Sequence, residues 1–286
     1  MRDSRYVFTS ESVTSGHPDK LCDRMSDAIV GRHLAAEPTA RVAAECAVST
    51  GIVFVSVKLR SRAHVDIATL VRDVIRRTRY SASELDARTC TVVTSIHELP
   101  DGRRPPVQTS LEDSDLDAIV AEDQATVFGF ACTHTAALAP LPIWLAHKIA
   151  RGLSAARERE LPYLSPDGKT QVAVELRRER PARIFGVTVL APPSPDAHPP
   201  IERLRRDVHD HVIRTAFLDE ELKPDANTRI TINPEGTTNG GPAMHAGLTG
   251  RKAAVDTYGE FARHSGSALS GKDIGRIDRI GVYAAR

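Results

Sequence analysis

Arg41-Val42-Ala43-Ala44-Glu45-Cys46-Ala47-Val48-Ser49-Thr50-Gly51-Ile52-Val53-Phe54-Val55-Ser56-Val57-Lys58-Leu59-Arg60 reads as two strands, 41–49 and 52–60, around Gly51. Val53, Val55, Val57 and Leu59 share one face and Phe54, Ser56 and Lys58 the other, so the pair is a half-buried hairpin. Upstream, Leu21, Met25, Ala28 and Ile29 recur at helical spacing behind His17-Pro18-Asp19, which predicts a helix whose N-terminus carries that polar cluster. Free backbone N–H groups and the helix dipole at such an end favour an anion such as phosphate. Downstream, Val65, Ala68, Val71, Val74 and Ile75 make a second helical face, followed by a predicted strand over 89–96. Similar strands and helices recur to the end, so the class is α+β, with at least two sheet layers carrying helices.

At 286 residues the chain can bury a sizeable core, and its length suits two domains. It is 41% hydrophobic and 26% charged with a net charge of +1. Bulk electrostatics therefore implies neither nucleic acid nor a membrane surface, and the expected partner is a small molecule. Cys22, Cys46, Cys90 and Cys132 lie too far apart for a CxxC pair or metal-ligand spacing and read as reduced, packed thiols. Met1-Arg2-Asp3-Ser4 opens without the apolar core of a signal peptide, and no run approaches the roughly 18 apolar residues of a membrane span. A cytoplasmic location is the expectation. Only Lys20, Lys58, Lys148, Lys169, Lys223, Lys252 and Lys272 survive among 38 basic residues. Drift of surface lysine to arginine explains most of that bias, but four of the survivors fall inside the motifs below.

From Glu98 to Glu122 the chain is polar and acidic, is punctuated by Pro100, Gly102, Pro105 and Pro106, and shows no periodicity. A loop of that length reads as a lid. Pro192 to Pro200 reads as a surface connection.

The chemistry-bearing residues lie in three glycine-containing stretches: Gly16-His17-Pro18-Asp19-Lys20, Gly247-Leu248-Thr249-Gly250-Arg251-Lys252 and Ser270-Gly271-Lys272-Asp273. Together they point to polyphosphate. Glycines let the backbone approach a ligand, Lys and Arg neutralise phosphate oxygens, and aspartates hold Mg²⁺ by hard oxygen ligation. Taken singly, each has a duller reading as a turn or a solvated surface pair. Gly266 to Lys272 also satisfies the GxxxxGK pattern, but Asp273 stands where a P-loop needs a hydroxyl for Mg²⁺. The preceding Tyr258–His264 segment looks no more like a strand than a helix, so the P-loop reading is set aside.

Phe8-Thr9-Ser10-Glu11-Ser12-Val13 leading into Gly16-His17-Pro18-Asp19-Lys20 resembles the N-terminal signature of S-adenosylmethionine synthetases. The resemblance continues in order through Asp123-Gln124 before Phe128-Gly129, Pro142-Ile143 before Leu145-Ala146-His147, Pro166-Asp167-Gly168-Lys169-Thr170-Gln171-Val172 and Ile232-Asn233-Pro234. It is densest from Gly240 through Gly247–Lys252, Val255-Asp256-Thr257-Tyr258-Gly259 and Ser270–Asp273 to Tyr283-Ala284-Ala285-Arg286, and it covers essentially the whole chain.

The resemblance implies a methionine adenosyltransferase: methionine sulfur attacks C5′ of ATP, and the displaced triphosphate is then hydrolysed to pyrophosphate and phosphate. It implies Mg²⁺ and K⁺ as cofactors. Carried across, His17 would assist the leaving triphosphate, Asp19 and Asp278 would hold magnesium, and Glu45 would belong to the potassium site. Lys169, Arg251 and Lys272 would be catalytic beside His17. Lys20, Asp167, Lys252 and Arg276 would join them in binding ATP and its phosphates. Arg276 stands where lysine is frequent, which keeps the charge but not the compact ammonium. Lys58, Glu98, Asp123 and His245 would face the acceptor.

The departures from the family pattern concentrate on that acceptor side. Lys58 stands where glutamate is usual and His245 where aspartate is usual, and both changes remove negative charge that would place an ammonium group. Glu122 and Ala125 replace glycines beside Asp123. Glu98-Leu99-Pro100-Asp101 replaces a stretch with glutamine before Ser-Pro-Asp, and Thr237-Thr238-Asn239 offers no aromatic to stack on adenine. The phosphate and metal positions are kept.

The implied fold is three similar α+β domains in a pseudo-threefold arrangement, woven from discontinuous segments, with the third domain largely missing. The expected segments are 1–12 with 134–240, 13–103 with 241–280, and 104–133 with 281–286 as lid and remnant. A helix would end at Arg286 and leave apolar surface exposed. An incomplete chain, a second polypeptide supplying the domain, or a reduced fold would each account for this. Active sites between subunits make a homodimer the default. Three functions stay open: methionine adenosyltransferase, a related transferase with a different acceptor, and a non-catalytic partner subunit of a hetero-oligomer.

Overall fold

The structure is a computed structural model that describes residues 5–100 and 124–286. The first strand, β1 (Arg5–Val13), is followed by helix α1 (Pro18–Ala36), the hairpin β2 (Arg41–Ser49) and β3 (Ile52–Arg60), α2 (Ile67–Thr78), a short α3 (Ala82–Leu85) and β4 (Thr91–Glu98). After the undescribed stretch come α4 (Leu141–Arg157), the hairpin β5 (Lys169–Arg177) and β6 (Arg180–Leu190), α5 (Ile201–Val208) and β7 (Arg229–Ile232). A π-helical stretch, His209–Ile213, carries α5 into the short α6 (Arg214–Ala216). Last are β8 (Gly247–Leu248), α7 (Ala253–Asp256) and α8 (Ile277–Ala285). The α+β class expected from periodicity is the one observed.

The strands form two sheets, ordered β1-β5-β6-β7 and β4-β3-β2-β8. The chain passes between them three times. β1 pairs antiparallel with β5 along its whole length, Arg5 opposite Arg177 and Val13 opposite Lys169. The chain then leaves to build α1 through β4, returns for α4 through β7, and crosses back for β8. Each sheet carries its helices on one face because its strands alternate. In the second sheet Val42, Ala44, Cys46, Val48, Val53, Val55, Val57 and Leu59 are buried with Leu21, Met25 and Ile29 of α1 and Val71 and Ile75 of α2. In the first, Val172, Val174, Ile184, Val187 and Val189 pack with Leu145, Ile149 and Leu153 of α4 and Leu204, Val208 and Val212. The opposite face of the second sheet stays open, with Phe54, Val93 and Leu248 exposed on it.

The hairpin bounds match those read from alternation, and Ser49 faces Ile52 across the Thr50-Gly51 turn. The strand expected at 89–96 lies two residues later. Its start is fixed by pairing with β3 in parallel, Ile52 opposite Thr91, a constraint that local sequence does not carry. The stretch from Pro192 to Pro200 corrects the surface reading. Pro192 and Pro193 are buried, Ser165 N–H donates to the Pro192 carbonyl at 2.9 Å, and only the later residues run along the surface. No P-loop is present: a single 3₁₀ turn, Gly259–Phe261, precedes the GxxxxGK residues and no helix opens at Lys272. The expected lid falls almost entirely outside the described residues. α8 buries none of its residues and leaves Ile280 and Tyr283 exposed.

α1 begins where His17 Nδ1 accepts the Asp19 backbone N–H at 3.1 Å and Pro18 supplies a fixed first turn. That first turn lies directly under β8. A Cβ on Gly247 would stand 2.2 Å from the Pro18 carbonyl carbon. Gly247→Ala is therefore expected to lower stability by about 1–3 kcal/mol through forced backbone displacement. Gly31→Ala, on the exposed side of α1 with nothing within 4 Å, should raise it by roughly 0.5–1 kcal/mol. Urea unfolding of the two variants beside the parent checks both signs.

Candidate active site

Asp19, Asp23 and Asp27 follow one another at helical i, i+4 spacing on α1, and each accepts a backbone N–H from a glycine-containing loop far along the chain. Leu248 donates to Asp19 Oδ1 at 3.0 Å, Gly250 to Asp23 Oδ1 at 2.8 Å and Gly271 to Asp27 Oδ1 at 2.8 Å. Thr249 Oγ1 meanwhile accepts the Cys46 N–H at 2.9 Å, tying the same loop to β2. Gly271 is required as glycine, because its φ is +74° and a Cβ would lie 2.0 Å from the Ala44 carbonyl oxygen. The stripe thus carries two of the three stretches singled out in the sequence to the helix that the third one starts.

Around the start of α1 the structure gathers a first group of charged side chains. Lys252 Nζ lies 3.1 Å from Asp19 Oδ2, and His17 Nδ1 lies 3.7 Å from the same oxygen. Asp167, from the turn before β5, accepts the Gly241 N–H at 2.8 Å and pairs with His245 Nε2 at 2.8 Å through its Oδ2. Lys20 is held between Asp23 at 2.8 Å and Asp256 at 2.7 Å. Lys169 pairs with Glu11 across the β1–β5 ladder at 2.5 Å. Arg251 is exposed beside Lys252 and has no partner among the described residues.

A second group lies on the open face of the second sheet. Glu45, Ser56 and Lys58 alternate with the buried positions of β2 and β3 and, with Lys272, Arg276 and Asp278, line a cleft of about 280 Å³. Lys272 pairs with Asp278 and Arg276 with Asp273. Lys58 has no partner among the described residues. The residues that one site was expected to unite are therefore held on one chain as two groups, on opposite sides of the sheet. Glu98 sits at the exposed end of β4, and Asp123 lies outside the described residues.

Burial and close partners set the protonation of His17 and Asp167 in opposite ways. His17 is 8% exposed, and burial pushes its pKa down to about 4 against the pull of Asp167 and Asp19, so the ring is neutral near neutral pH. Burial would raise Asp167, but the His245 hydrogen bond, His17 and the Gly241 N–H outweigh it and hold the carboxyl below its ordinary range. Because His17 Nδ1 accepts a backbone N–H, the proton of the neutral ring sits on Nε2.

Asp23, Asp27, Asp256 and Glu11 went unread in the sequence as partners of this site. The i, i+4 spacing of Asp19, Asp23 and Asp27 was the available signal for the first two, whereas Asp256 and Glu11 are recruited purely by tertiary packing.

Comparison with known proteins joins this geometry to a family. Family models for the N-terminal, central and C-terminal domains of S-adenosylmethionine synthetase match residues 5–100, 118–238 and 239–286. The S-adenosylmethionine synthases of Prochlorococcus marinus (strain MIT 9313) and Synechococcus sp. (strain CC9311) are each 44% identical over 301 aligned residues, covering 99% of this chain and 71% of the relative. The chain belongs to the S-adenosylmethionine synthetase family. In this synthetase chain the three family-model segments do not coincide with the sheets, since β1 of the first completes the sheet built by the second. No helix among the described residues is long and apolar enough to cross a membrane.

Behind the first group, His147 of α4 bonds Ser12 Oγ at 2.8 Å, and burial, with Arg151 adding to it, pushes its pKa down to about 4. The unfolded chain binds that proton near the ordinary histidine value, so between the two values it takes up more protons than the folded chain. Stability must fall as pH drops through this window. Replacing His147 with Gln should remove up to about 3 kcal/mol of the loss between about pH 7 and about pH 4. Urea titrations of parent and variant at the two pH values measure the difference.

Proposed function

We propose that this chain is a methionine adenosyltransferase that makes S-adenosylmethionine, pyrophosphate and phosphate from ATP, L-methionine and water. The observation that carries the reading is the retention, within a family-wide match, of cations paired with carboxylates in both groups. The sulfur lone pair forms the bond to C5′, the C5′–O bond breaks, and its electrons leave on the triphosphate. Charge grows on that leaving group, so fixed cations favour the transition state over the ground state. His17, neutral with its proton on Nε2, donates to the departing oxygen; Lys169, Arg251, Lys252 and Lys272 take the phosphates.

Members of the family depend on metal ions. The hard carboxylate oxygens of Asp19 and Asp278 suit Mg²⁺, and each is now balanced by a lysine that phosphate oxygens would draw away. When bound, Mg²⁺ neutralises triphosphate charge. Glu45 on the open face is assigned to K⁺.

The working site is assembled between two copies of the chain. The separation of the two groups supports this, and so does the exposed apolar strip of Phe54, Val93 and Leu248 continuous with the cleft at Glu45 and Ser56. The reading also covers the domain pairing of 1–12 with 134–240 and 13–103 with 241–280, and an intracellular place beside ATP.

One observation favours a second reading with a different, carboxylate-bearing acceptor: Lys58 brings a third cation to the cleft beside Lys272 and Arg276. Under the methionine reading, Lys58 holds the methionine carboxylate.

Incubation with ATP, Mg²⁺, K⁺ and methionine, followed by mass spectrometry, should show S-adenosylmethionine, and Asp19→Asn should lower kcat by about a hundredfold or more. Lys58→Ala should raise the methionine KM about tenfold with little change in kcat. Triphosphate released without S-adenosylmethionine would instead select the other acceptor.

A further inference from the structure

His17, Asp167 and His245 each offer a donor atom, and the three lie within 4.8 Å of one another. They come from three separated stretches: the cap of α1, the turn before β5 and the loop before β8. His17 and Asp167 are buried, whereas the His245 side chain is 42% exposed, so the cluster has a closed floor and an open mouth. Asp167 is oriented by the Gly241 N–H and already touches His245. Two imidazoles and one carboxylate differ in kind from the all-oxygen set that Mg²⁺ requires.

We infer that His17, Asp167 and His245 form a binding site for a borderline divalent cation of the zinc class, with at least one coordination position left open. Metal bonds of about 2.0–2.2 Å in a tetrahedral arrangement place ligand atoms about 3.3–3.5 Å apart. The 2.8 Å Asp167–His245 contact would open slightly and the widest separation would close by up to about 1.5 Å, movements within reach of side-chain rotation. With neutral imidazoles, Asp167 and Asp19 against Lys252 leave the pocket one negative charge, which suits a cation.

The second ring nitrogen of His17 has a partner waiting. Ligation through Nε2 puts the remaining proton on Nδ1, which then gives up the Asp19 backbone N–H that it accepts in the metal-free chain and turns to Asp19 Oδ2, 3.7 Å away, in the carboxylate–histidine–metal arrangement common to such sites. The metal-bound tautomer is the reverse of the metal-free one. A loaded site therefore has no Nε2 proton to donate, and metal occupancy and the donor role of His17 exclude each other.

Co²⁺ is the probe, because its visible absorption distinguishes four- and five-coordinate nitrogen-containing sites from six-coordinate oxygen sites. The full chain, stripped with chelator, is titrated with Co²⁺ in excess Mg²⁺, which fills hard oxygen sites. A single Co²⁺ per chain with the intense low-coordinate spectrum, displaced by Zn²⁺, is expected. His245→Ala, which truncates a largely exposed side chain, and Asp167→Asn, which keeps the side-chain shape, should each weaken binding at least about tenfold. His209→Ala, at an exposed His-Asp pair that is not part of the cluster, should leave it unchanged. A parent chain without the low-coordinate spectrum, or one whose Co²⁺ affinity survives His245→Ala, overturns the inference. The titration reads binding alone, so its result is independent of whether methionine is the acceptor.

Discussion

Three carboxylates on one face of α1 hold three backbone N–H groups from loops more than two hundred residues away. A buried backbone N–H without a partner is costly, and a carboxylate acceptor makes a stronger bond than a neutral carbonyl. The Asp19, Asp23 and Asp27 stripe therefore does more than cap stray donors. It sets where the Gly247–Lys252 loop and the Ser270–Asp273 loop run, and with them Lys252, Arg251 and Lys272. Two glycines make the approach possible, Gly247 over Pro18 and Gly271 beneath Ala44, because a side chain at either would occupy backbone already there.

Function follows from what that docking separates as much as from what it joins. His17, Asp19, Asp167 and Lys252 meet at the junction of the two sheets, where burial keeps the His17 ring neutral while the His245 hydrogen bond, His17 and the Gly241 N–H hold Asp167 ionised against its burial. Glu45, Lys58, Lys272 and Asp278 meet on the open face of the second sheet, where the start of α8 borders the cleft. A half-buried sheet places the two sets on opposite sides by the alternation of its strands. Under the proposed function, a second copy of the chain brings them to a common substrate.

Much of the fold was legible because its signals are local. The alternation in 41–60 marks a hairpin whose bounds the structure keeps, and the spacing of Leu21, Met25 and Ile29 marks the buried face of α1. The later start of β4 and the burial of Pro192 and Pro193 were not legible, since strand pairing and a distant loop determine them. In the site, glycine and cation motifs were visible in the sequence. The partners that neutralise them, Glu11 for Lys169 and Asp256 for Lys20, were not.

By itself the sequence determined the α+β class and the family, and it offered the side chains proposed for phosphate and metal chemistry, because periodicity and motif spacing are properties of neighbouring residues. Only the tertiary structure decided that β1 belongs to a sheet completed from residues 169–232, that the charged residues divide into two groups, and that His245 faces Asp167 beside His17. Those outcomes depend on contacts between segments that no local pattern relates. They are settled by which backbone groups and apolar faces can be satisfied at once when the chain closes on itself.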